Sequence, residues 1–318
     1  MLKRANFPGQ AMPLRKQTKY EHQERINEVL FHIHADLSAQ HSVKVLAEVA
    51  CYSPFHFQRI FRQVTGESVN DYIRRTRLEW AANLLIFNPE ASVMEVALEC
   101  GFSSNASFSH AFKDCFDCSP RVWRHSGYES QTGDLKSSWS QAADNPHQAY
   151  HRNTLEQVAG IALPEVRVMQ LPKQRVAYLR HLGYDLTITP VWQRLIAWAS
   201  AQGLDTASQQ MMGLLHSNPD LIPYEQCRYV ACLTLPQGSF RHHGVGVMDI
   251  PGGLYASCRV AGEFGDLLYV MRALYLEWLP ESDYQARSIP PHACHLDNHF
   301  INESGRFCVD FRIPVVHK

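Results

Sequence analysis

The chain has 318 residues, 45% of them hydrophobic and 19% charged, with a formal net charge of −1, an ordinary globular composition with room for two domains. No apolar run reaches the ~18 residues of a membrane span, Lys3 and Arg4 lack the apolar stretch of a secretory signal, and nine scattered cysteines fit a reducing cytoplasm better than a disulfide framework. A charge near zero removes any argument for nucleic-acid binding from bulk charge, so such binding has to be argued from where the basic residues stand.

Residues 1–19 carry Lys3, Arg4, Arg15, Lys16 and Lys19 among Pro8, Gly9 and Pro13 with little apolar periodicity, which predicts a mobile basic tail. Residues 20–125 read as all-helical, and Ile26, Val29, Leu30, Ile33 and Leu37 recur at helical spacing to mark a first helix. One element is then written twice. Residues Ser42 to Val69 (SVKVLAEVACYSPFHFQRIFRQVTGESV) return as Ser92 to Pro120 (SVMEVALECGFSSNASFSHAFKDCFDCSP). Tyr52-Ser53 falls on Phe102-Ser103 and, after one inserted residue, Phe57, Phe61 and Ser68 fall on Phe108, Phe112 and Ser119. Each copy reads as a short helix, a tight turn and a second amphipathic helix, the pattern of a helix-turn-helix.

In the first copy Ser42 is placed to cap Val43–Ala50, Ala47 is small where two helices cross, and Ser53 caps the next helix. Pro54 stands at that helix's first position, where its missing N–H costs nothing. Phe57, Ile60 and Phe61 make the buried stripe, which turns Phe55, His56, Gln58, Arg59 and Arg62 outwards. Arginine pairs bidentately with guanine and glutamine with adenine, each contact contributing roughly 1–3 kcal/mol of base discrimination. Between the copies, Asp71–Phe87 reads as a helix whose Arg74, Arg75 and Arg77 are expected to hold phosphates, which set position rather than sequence. In the second copy Ser92 caps, Ala97 is the small residue and Gly101 is free to take a left-handed turn. Phe102, Phe108 and Phe112 form its buried side, and Ser104, Asn105, Ser107, Ser109 and His110 its outer one. That face is less charged, so shorter or water-mediated contacts are expected there.

Residues 126–157, rich in Ser, Gln, Asn and Gly, read as a linker. From 158 the pattern changes to strands at Val166–Met169, Arg175–Leu179, Met211–Leu215, Tyr229–Leu235, Val245–Ile250, Tyr255–Val260, Ala293–Leu296 and Phe307–Ile313. Helices are expected at Pro190–Ala201 and Asp266–Trp278, so that two rounds of strands and a helix make a pseudo-duplicated α+β domain. The fold class is therefore multidomain, an all-α double helix-turn-helix unit over 20–125 followed by a duplicated strand-helix unit over 158–318.

The run Arg77-Leu78, Ala81, Leu84-Leu85, Val96-Ala97, Gly101-Phe102, Phe108, Phe112-Lys113, Ser119-Pro120 and Arg124 resembles the AraC/XylS family of transcription regulators. Phe55 to Arg62 and Phe116-Asp117 look most like its MarA/SoxS/Rob branch. The resemblance covers about 105 residues and implies that Phe55, Gln58, Arg59, Asn105, Ser107 and His110 face DNA bases. Arg62, Arg74, Arg75, Arg77, Lys113 and Arg124 would be the phosphate contacts. His110 and Ala106 depart from the branch, which has arginine and glutamine there, so its site preference at the second half does not carry over.

Residues 158–318 resemble a GyrI-like effector-binding domain through Gly213-Leu214, Asn218-Pro219, Arg228-Tyr229, Ile250 to Ala256, Gly262, Trp278-Leu279-Pro280 and Ile313-Pro314-Val315. The implied fold is two strand-helix halves around a ligand cleft. Aromatic faces are available from Tyr178, Trp192, Tyr224, Tyr229, Tyr255, Tyr269 and Trp278, and Tyr178, Trp192, Tyr229, Tyr255, Trp278 and His295 are taken as the pocket. Family members that bind cations carry a Glu-x-Tyr pair where this chain has Ala293 and His295. Without that carboxylate a buried cation loses its counter-charge, so a neutral or anionic effector is expected.

Cys115-x-x-Cys118 has metal-like spacing but no partner nearby, and reads as packing and turn. In the cluster His292, Cys294, His295, Cys294 is expected to point away from the two histidines. No metal, cofactor or catalytic motif is found, so the chain is not expected to be an enzyme. The expectation is a cytoplasmic activator that binds double-stranded DNA as a monomer, meets RNA polymerase, has no membrane partner and answers to a small-molecule effector that is not a strong cation. The alternative makes the carboxyl-terminal domain a protein-interaction module with no ligand.

Overall fold

The computed structural model describes residues 14–88, 90–125, 163–218, 225, 227–238, 240 and 244–318. The expected tail up to residue 13, the linker, Tyr224 and His242-His243 lie outside the described residues. Helix α1 (Leu14–Ala35) takes up residues 14–19, which the sequence had placed in the tail. No proline or glycine follows Pro13 there, and lysine, arginine and glutamine are good helix formers.

Helices α2 (Val43–Val49), α3 (Pro54–Thr65), α4 (Val69–Phe87), α5 (Val93–Glu99) and α6 (Asn105–Phe116) follow, then α7 over residues 120–125. In each of these helices, a serine side-chain oxygen at the N-cap accepts the backbone N–H of the third helical residue. The pairs are Ser42 with Val45, Ser53 with His56, Ser68 with Asp71, Ser92 with Glu95, Ser104 with Ser107 and Ser119 with Val122. Each such cap is worth about 1 kcal/mol. Glu95 returns the bond to the Ser92 N–H at 2.6 Å, completing a capping box. Ile26, Ile33, Leu46, Phe57 and Phe61 centre one small core, and Val96, Phe108, Phe112 and Trp123 the other.

The duplicated units need the same two left-handed residues and fill them differently. Each has one inside its turn, Cys51 (φ 53°) in the first and Gly101 (φ 77°) in the second. Each has another after its second helix, Gly66 (φ 86°) and Asp117 (φ 57°). A Cβ on Gly101 would stand 2.7 Å from the Arg77 guanidinium carbon and 2.9 Å from Leu37 O, so this glycine is fixed by packing as well as by φ.

The carboxyl-terminal unit is an antiparallel sheet with two helices. In chain order it runs β1 (Arg167–Leu171), β2 (Gln174–Leu182), α8 (Thr189–Ala201), β3 (Met211–Leu215), β4 (Arg228–Thr234), β5 (Gly246–Ile250), β6 (Gly253–Glu263), α9 (Asp266–Ala273), β7 (Tyr284–Ala286), β8 (His292–Asp297) and β9 (Arg306–His317). The end of α9 widens into a π-turn over Leu274–Trp278. The short β7 was not anticipated; it pairs with β9 at Ala286↔Val315.

Strand order is β1-β6-β9-β8-β3-β4-β2-β5, so β2, β3 and β4 mirror β6, β8 and β9 about the β3–β8 junction. The leading strand of each half is exchanged: β1 precedes β2 but pairs with β6, and β5 precedes β6 but pairs with β2. Only Pro172-Lys173 and Pro251-Gly252 join these strands to their own halves, so the sheet curls until its two ends meet. The two links touch. A Cβ on Gly252 would stand 2.7 Å from Lys173 N and 2.9 Å from Leu171 O. Helices α8 and α9 cover one face with Trp192, Leu195, Leu267 and Leu268, while Val176, Tyr178, Met212, Leu214 and Cys294 cluster on the other.

Cys51→Gly and Asp117→Gly should each raise stability by ~0.5–1 kcal/mol, because a left-handed non-glycine is relieved at an exposed position. Gly252→Ala should lower it by about 1–3 kcal/mol by forcing the two links apart. Calorimetric melting of the three variants checks both signs.

Candidate nucleic-acid interface and sheet cavity

The outer face of α3 is open. Phe55 is 83% exposed, and Gln58, Arg59 and Arg62 are exposed beside it while Phe57, Ile60 and Phe61 are buried. A residue that the sequence did not single out, His22, joins Tyr52, His56 and Arg59 at the border of this face. His22 Nδ1 meets the Tyr52 hydroxyl at 2.5 Å, His56 packs on Tyr52 with ring centroids 4.8 Å apart, and Arg59 Nη2 lies 3.2 Å from His56 Nδ1. Burial, together with the positive charge of His56, Arg25 and Arg59, lowers the pKa of His22. Its place on α1 opposite His56 becomes apparent only once α1 crosses α3.

The outer face of α6 carries exposed Asn105, Ser107 and His110. Ser107 Oγ donates back to Ser104 O at 2.9 Å, and Ser109 Oγ donates to Asn105 Oδ1 at 3.3 Å. His110 Nδ1 lies 2.9 Å from Asp114 Oδ2, and both side chains are exposed. This face therefore presents hydroxyls, an amide and an imidazole–carboxylate pair rather than free cations. Asp114 was missed, although its i, i+4 spacing from His110 was readable.

The basic residues divide. Arg62, Arg74 and Lys113 are exposed. Arg124 is half-buried, its Nε and Nη2 without a protein partner, beside a groove lined by Ser92, Asn105, Ser109 and Arg121. Arg75 and Arg77 do not fit the expected phosphate role. The Arg77 guanidinium donates to the carbonyls of Leu37, Ala39 and Gly101 at 2.8, 2.7 and 3.0 Å, tying the first unit to the second. Arg75 binds Glu79 Oε1 at 2.8 Å and Glu67 Oε1 at 3.0 Å, and Arg228 of the sheet reaches the same Glu67 oxygen at 2.8 Å. Helical spacing gives which residues share a face, but not which face meets another domain.

That meeting is extensive. Asn218 donates to Asn83 Oδ1 at 2.9 Å, Ser288 Oγ to His34 O at 3.2 Å and Arg180 Nη2 to Asn27 Oδ1 at 2.8 Å. His34 and His216 lie edge to face at 5.5 Å. Burial, with Arg75 and Arg180 nearby, pushes the His34 pKa down to about 4. The sheet thus docks on α1 and α4 and leaves the outer faces of α3 and α6 uncovered.

In the sheet domain the six expected pocket residues do not assemble. Trp192, Tyr229 and His295 do. Trp192 Nε1 donates to the Tyr229 hydroxyl at 3.2 Å, and the Trp192 and His295 rings are 5.5 Å apart. Tyr229 and His295, with Ala293 and with Tyr184, His299, Phe300 and Phe307, which the sequence reading passed over, enclose a cavity of only about 10 Å³, room for about one water, and Trp192 stands behind it rather than lining it. Tyr178 belongs to the other face, where the Arg180 guanidinium lies 5.2 Å from its ring centre. Tyr255 packs on His292 and donates to Pro251 O at 2.7 Å, and Trp278 stacks on Tyr284 at 6.2 Å, away from the cavity. Strand alternation also corrects the histidine cluster. His292 and Cys294 pair with Leu214 and Met212 on one face, and His295 stands on the other.

Cys115 and Cys118 form no disulfide, and among the described residues no three metal-ligating side chains gather. No helix among the described residues is long and apolar enough to cross a membrane.

Residues 46–126 match a family model described as a helix-turn-helix domain, and residues 164–316 one described as a GyrI-like small molecule binding domain. The regulatory protein SoxS of Escherichia coli K12 is 33% identical over 104 residues, 33% of this chain and 96% of SoxS. The HTH-type transcriptional activator AarP of Providencia stuartii is 34% identical over 110 residues, 35% of this chain and 80% of AarP. The transcriptional regulator Rob of Salmonella typhimurium is 33% identical over 108 residues, 34% of this chain and 37% of Rob.

Burial pushes the pKa of His292 down to about 3 with help from Arg312, that of His295 to about 3 with help from His299, and that of His299 to about 4. Because these values lie below the unfolded value of 6.5, the unfolded chain takes up protons first. Stability should be full above pH 6.5 and fall from there toward pH 3, by about 1.4 kcal/mol per pH unit for each such proton. Melting between pH 7.5 and 4 checks this. His292→Leu, which removes the most buried imidazole, should flatten the slope.

Proposed function

This chain belongs to the AraC/XylS family of transcription regulators, in the branch that holds SoxS and Rob, and on that premise we propose that it is a cytoplasmic activator reading two adjacent major grooves as a monomer. The observation that carries the reading is the pair of open outer faces on α3 and α6, left uncovered by a sheet domain docked elsewhere. Phe55, Gln58 and Arg59 would contact bases of the first half-site, and Asn105, Ser107 and His110 those of the second. Arg62, Arg74, Lys113 and Arg124 would hold phosphates; Arg75 and Arg77 are withdrawn from that set because carboxylates and carbonyls already engage them. With polar but largely uncharged groups on α6, most base discrimination would fall on the α3 half. AarP carries the name of an activator, which supports activation through RNA polymerase here.

To take the neutral or anionic effector expected of it, the small cavity beside Tyr229 and His295 would have to open. No aspartate or glutamate lines it among the described residues, and Ala293 stands where cation-binding relatives have glutamate.

Selection of genomic fragments at about 0.15 M salt should yield one asymmetric motif with two blocks a helical turn apart. Arg59→Ala should blur one block, whereas Arg74→Ala should weaken all DNA alike and reduce the salt slope. Equal loss of specificity from both variants would overturn the assignment. Cationic dyes should give no saturable stabilisation above about 2 °C (roughly 0.5 kcal/mol).

A further inference from the structure

A second cavity lies on the opposite face of the sheet, between the domains. Its enclosed space is about 140 Å³, and it opens at its mouth to solvent. Asn27, Leu30, Phe31 and His34 of α1 form one wall. Arg180, Met248 and Ile250 of the sheet, with Arg287 and Ile289 of the loop after β7, form the other. Its body is apolar, and its polar groups are unevenly matched. At one edge Lys173 and Asp249 pair at 2.7 Å, with Glu28 also acting on Lys173. No carboxylate among the described residues is paired with Arg180 or Arg287.

Three polar atoms on this wall are buried with no protein partner: Asn27 Nδ2, Arg180 Nε and His34 Nδ1. Two of them are obligate donors. Asn27 is only 4% exposed, and its Oδ1 already accepts from Arg180 Nη2, which leaves its amide N–H groups unmatched. Buried donors without acceptors cost on the order of 1–3 kcal/mol each. Two such donors lining one cavity, beside two guanidinium groups with no carboxylate paired to them, point to what would satisfy them: an acceptor carrying negative charge.

We propose that this interdomain cavity binds an organic anion with an apolar body and a single carboxylate or sulfonate head. The head lies against Arg180, Arg287 and Asn27, and the body lies over Leu30, Phe31, Met248 and Ile250. The site is separate from the cavity at Tyr229 and His295, and does not depend on that one being occupied. Because its walls belong to different domains, occupancy and docking are linked: the ligand strengthens the contact between α1 and the sheet, and undocking abolishes the site.

The test is titration of the full chain with 1-anilinonaphthalene-8-sulfonate, followed by fluorescence and calorimetry. N-phenyl-1-naphthylamine, which has the same rings without the sulfonate, is the comparator. One-to-one saturable binding is expected, weakened about tenfold or more by Arg287→Gln, by Phe31→Glu and by removal of the sulfonate. Phe31 is 47% exposed, so its variant tests the site even if Arg287→Gln fails to fold. Ala293→Val, which narrows the other cavity, should leave binding unchanged. Equal affinity for the neutral comparator, indifference to both variants, or loss of binding in Ala293→Val would overturn the proposal. DNA binding measured on the same samples separates its failure from failure of the regulator reading.

Discussion

The Glu67 carboxylate is shared by Arg75 from its own domain and Arg228 from the sheet, both on Oε1 and within 3.0 Å. Much else follows from that one group. It lies in the short connection between α3 and α4, so it fixes the start of the helix that spaces the two reading units. It also draws Arg75 away from solvent and onto Glu79, which in turn accepts from Ser217 of the sheet. Two guanidinium groups this close repel each other, and each needs the carboxylates between them. Removing a partner from such a half-buried network leaves an uncompensated charge, which is far more costly than never having had the pair. The docking of the domains therefore has a defined orientation, not merely an adhesive patch.

The sheet is constrained differently. Its two faces are occupied by unrelated business, helices α8 and α9 on one side and α1 of the helical unit on the other. A sheet with both faces buried carries apolar residues at consecutive positions, as Val176 to Leu179 and Val230 to Leu233 do. Side chains one residue apart then serve different cavities: Leu214 lines the one at the domain junction and Leu215 the one under the helices. Two small-molecule spaces can thus coexist on one thin layer without sharing a wall.

This two-sidedness explains what the sequence revealed and what it withheld. The helical third was legible because its signals are local. Serine caps, the proline at the start of α3, Gly101 and the offsets between copies each reflect neighbours a few residues away. Strand positions were also legible, with β7 as the exception, being three residues long with no apolar alternation of its own. Most of what failed was long-range. Arg77 had the spacing of a phosphate contact, but its partners, the carbonyls of Leu37 and Gly101, are distant in sequence; Arg75's partners Glu67 and Glu79 are near it in sequence, and there the pairing was overlooked. Tyr178 and Tyr255 were grouped with Tyr229 because aromatic identity was read without strand parity. Parity from Ala293 would have placed His292 and Cys294 together and His295 apart.

The exchanged leading strands bear on how the molecule is made. Arg167 pairs with Ser257, and β9 (Arg306–His317) is the central partner of β6 and β8. The half built from β5, β2, β4 and β3 closes on itself by Ile250, whereas β1 waits for β6 and β6 for β9. The helical unit, by contrast, is complete by residue 125 and uses contacts within a short span. Synthesis proceeds from the amino terminus and local contacts form fastest. A growing chain would therefore carry a folded helical unit before the sheet that docks on α1 and α4 is complete.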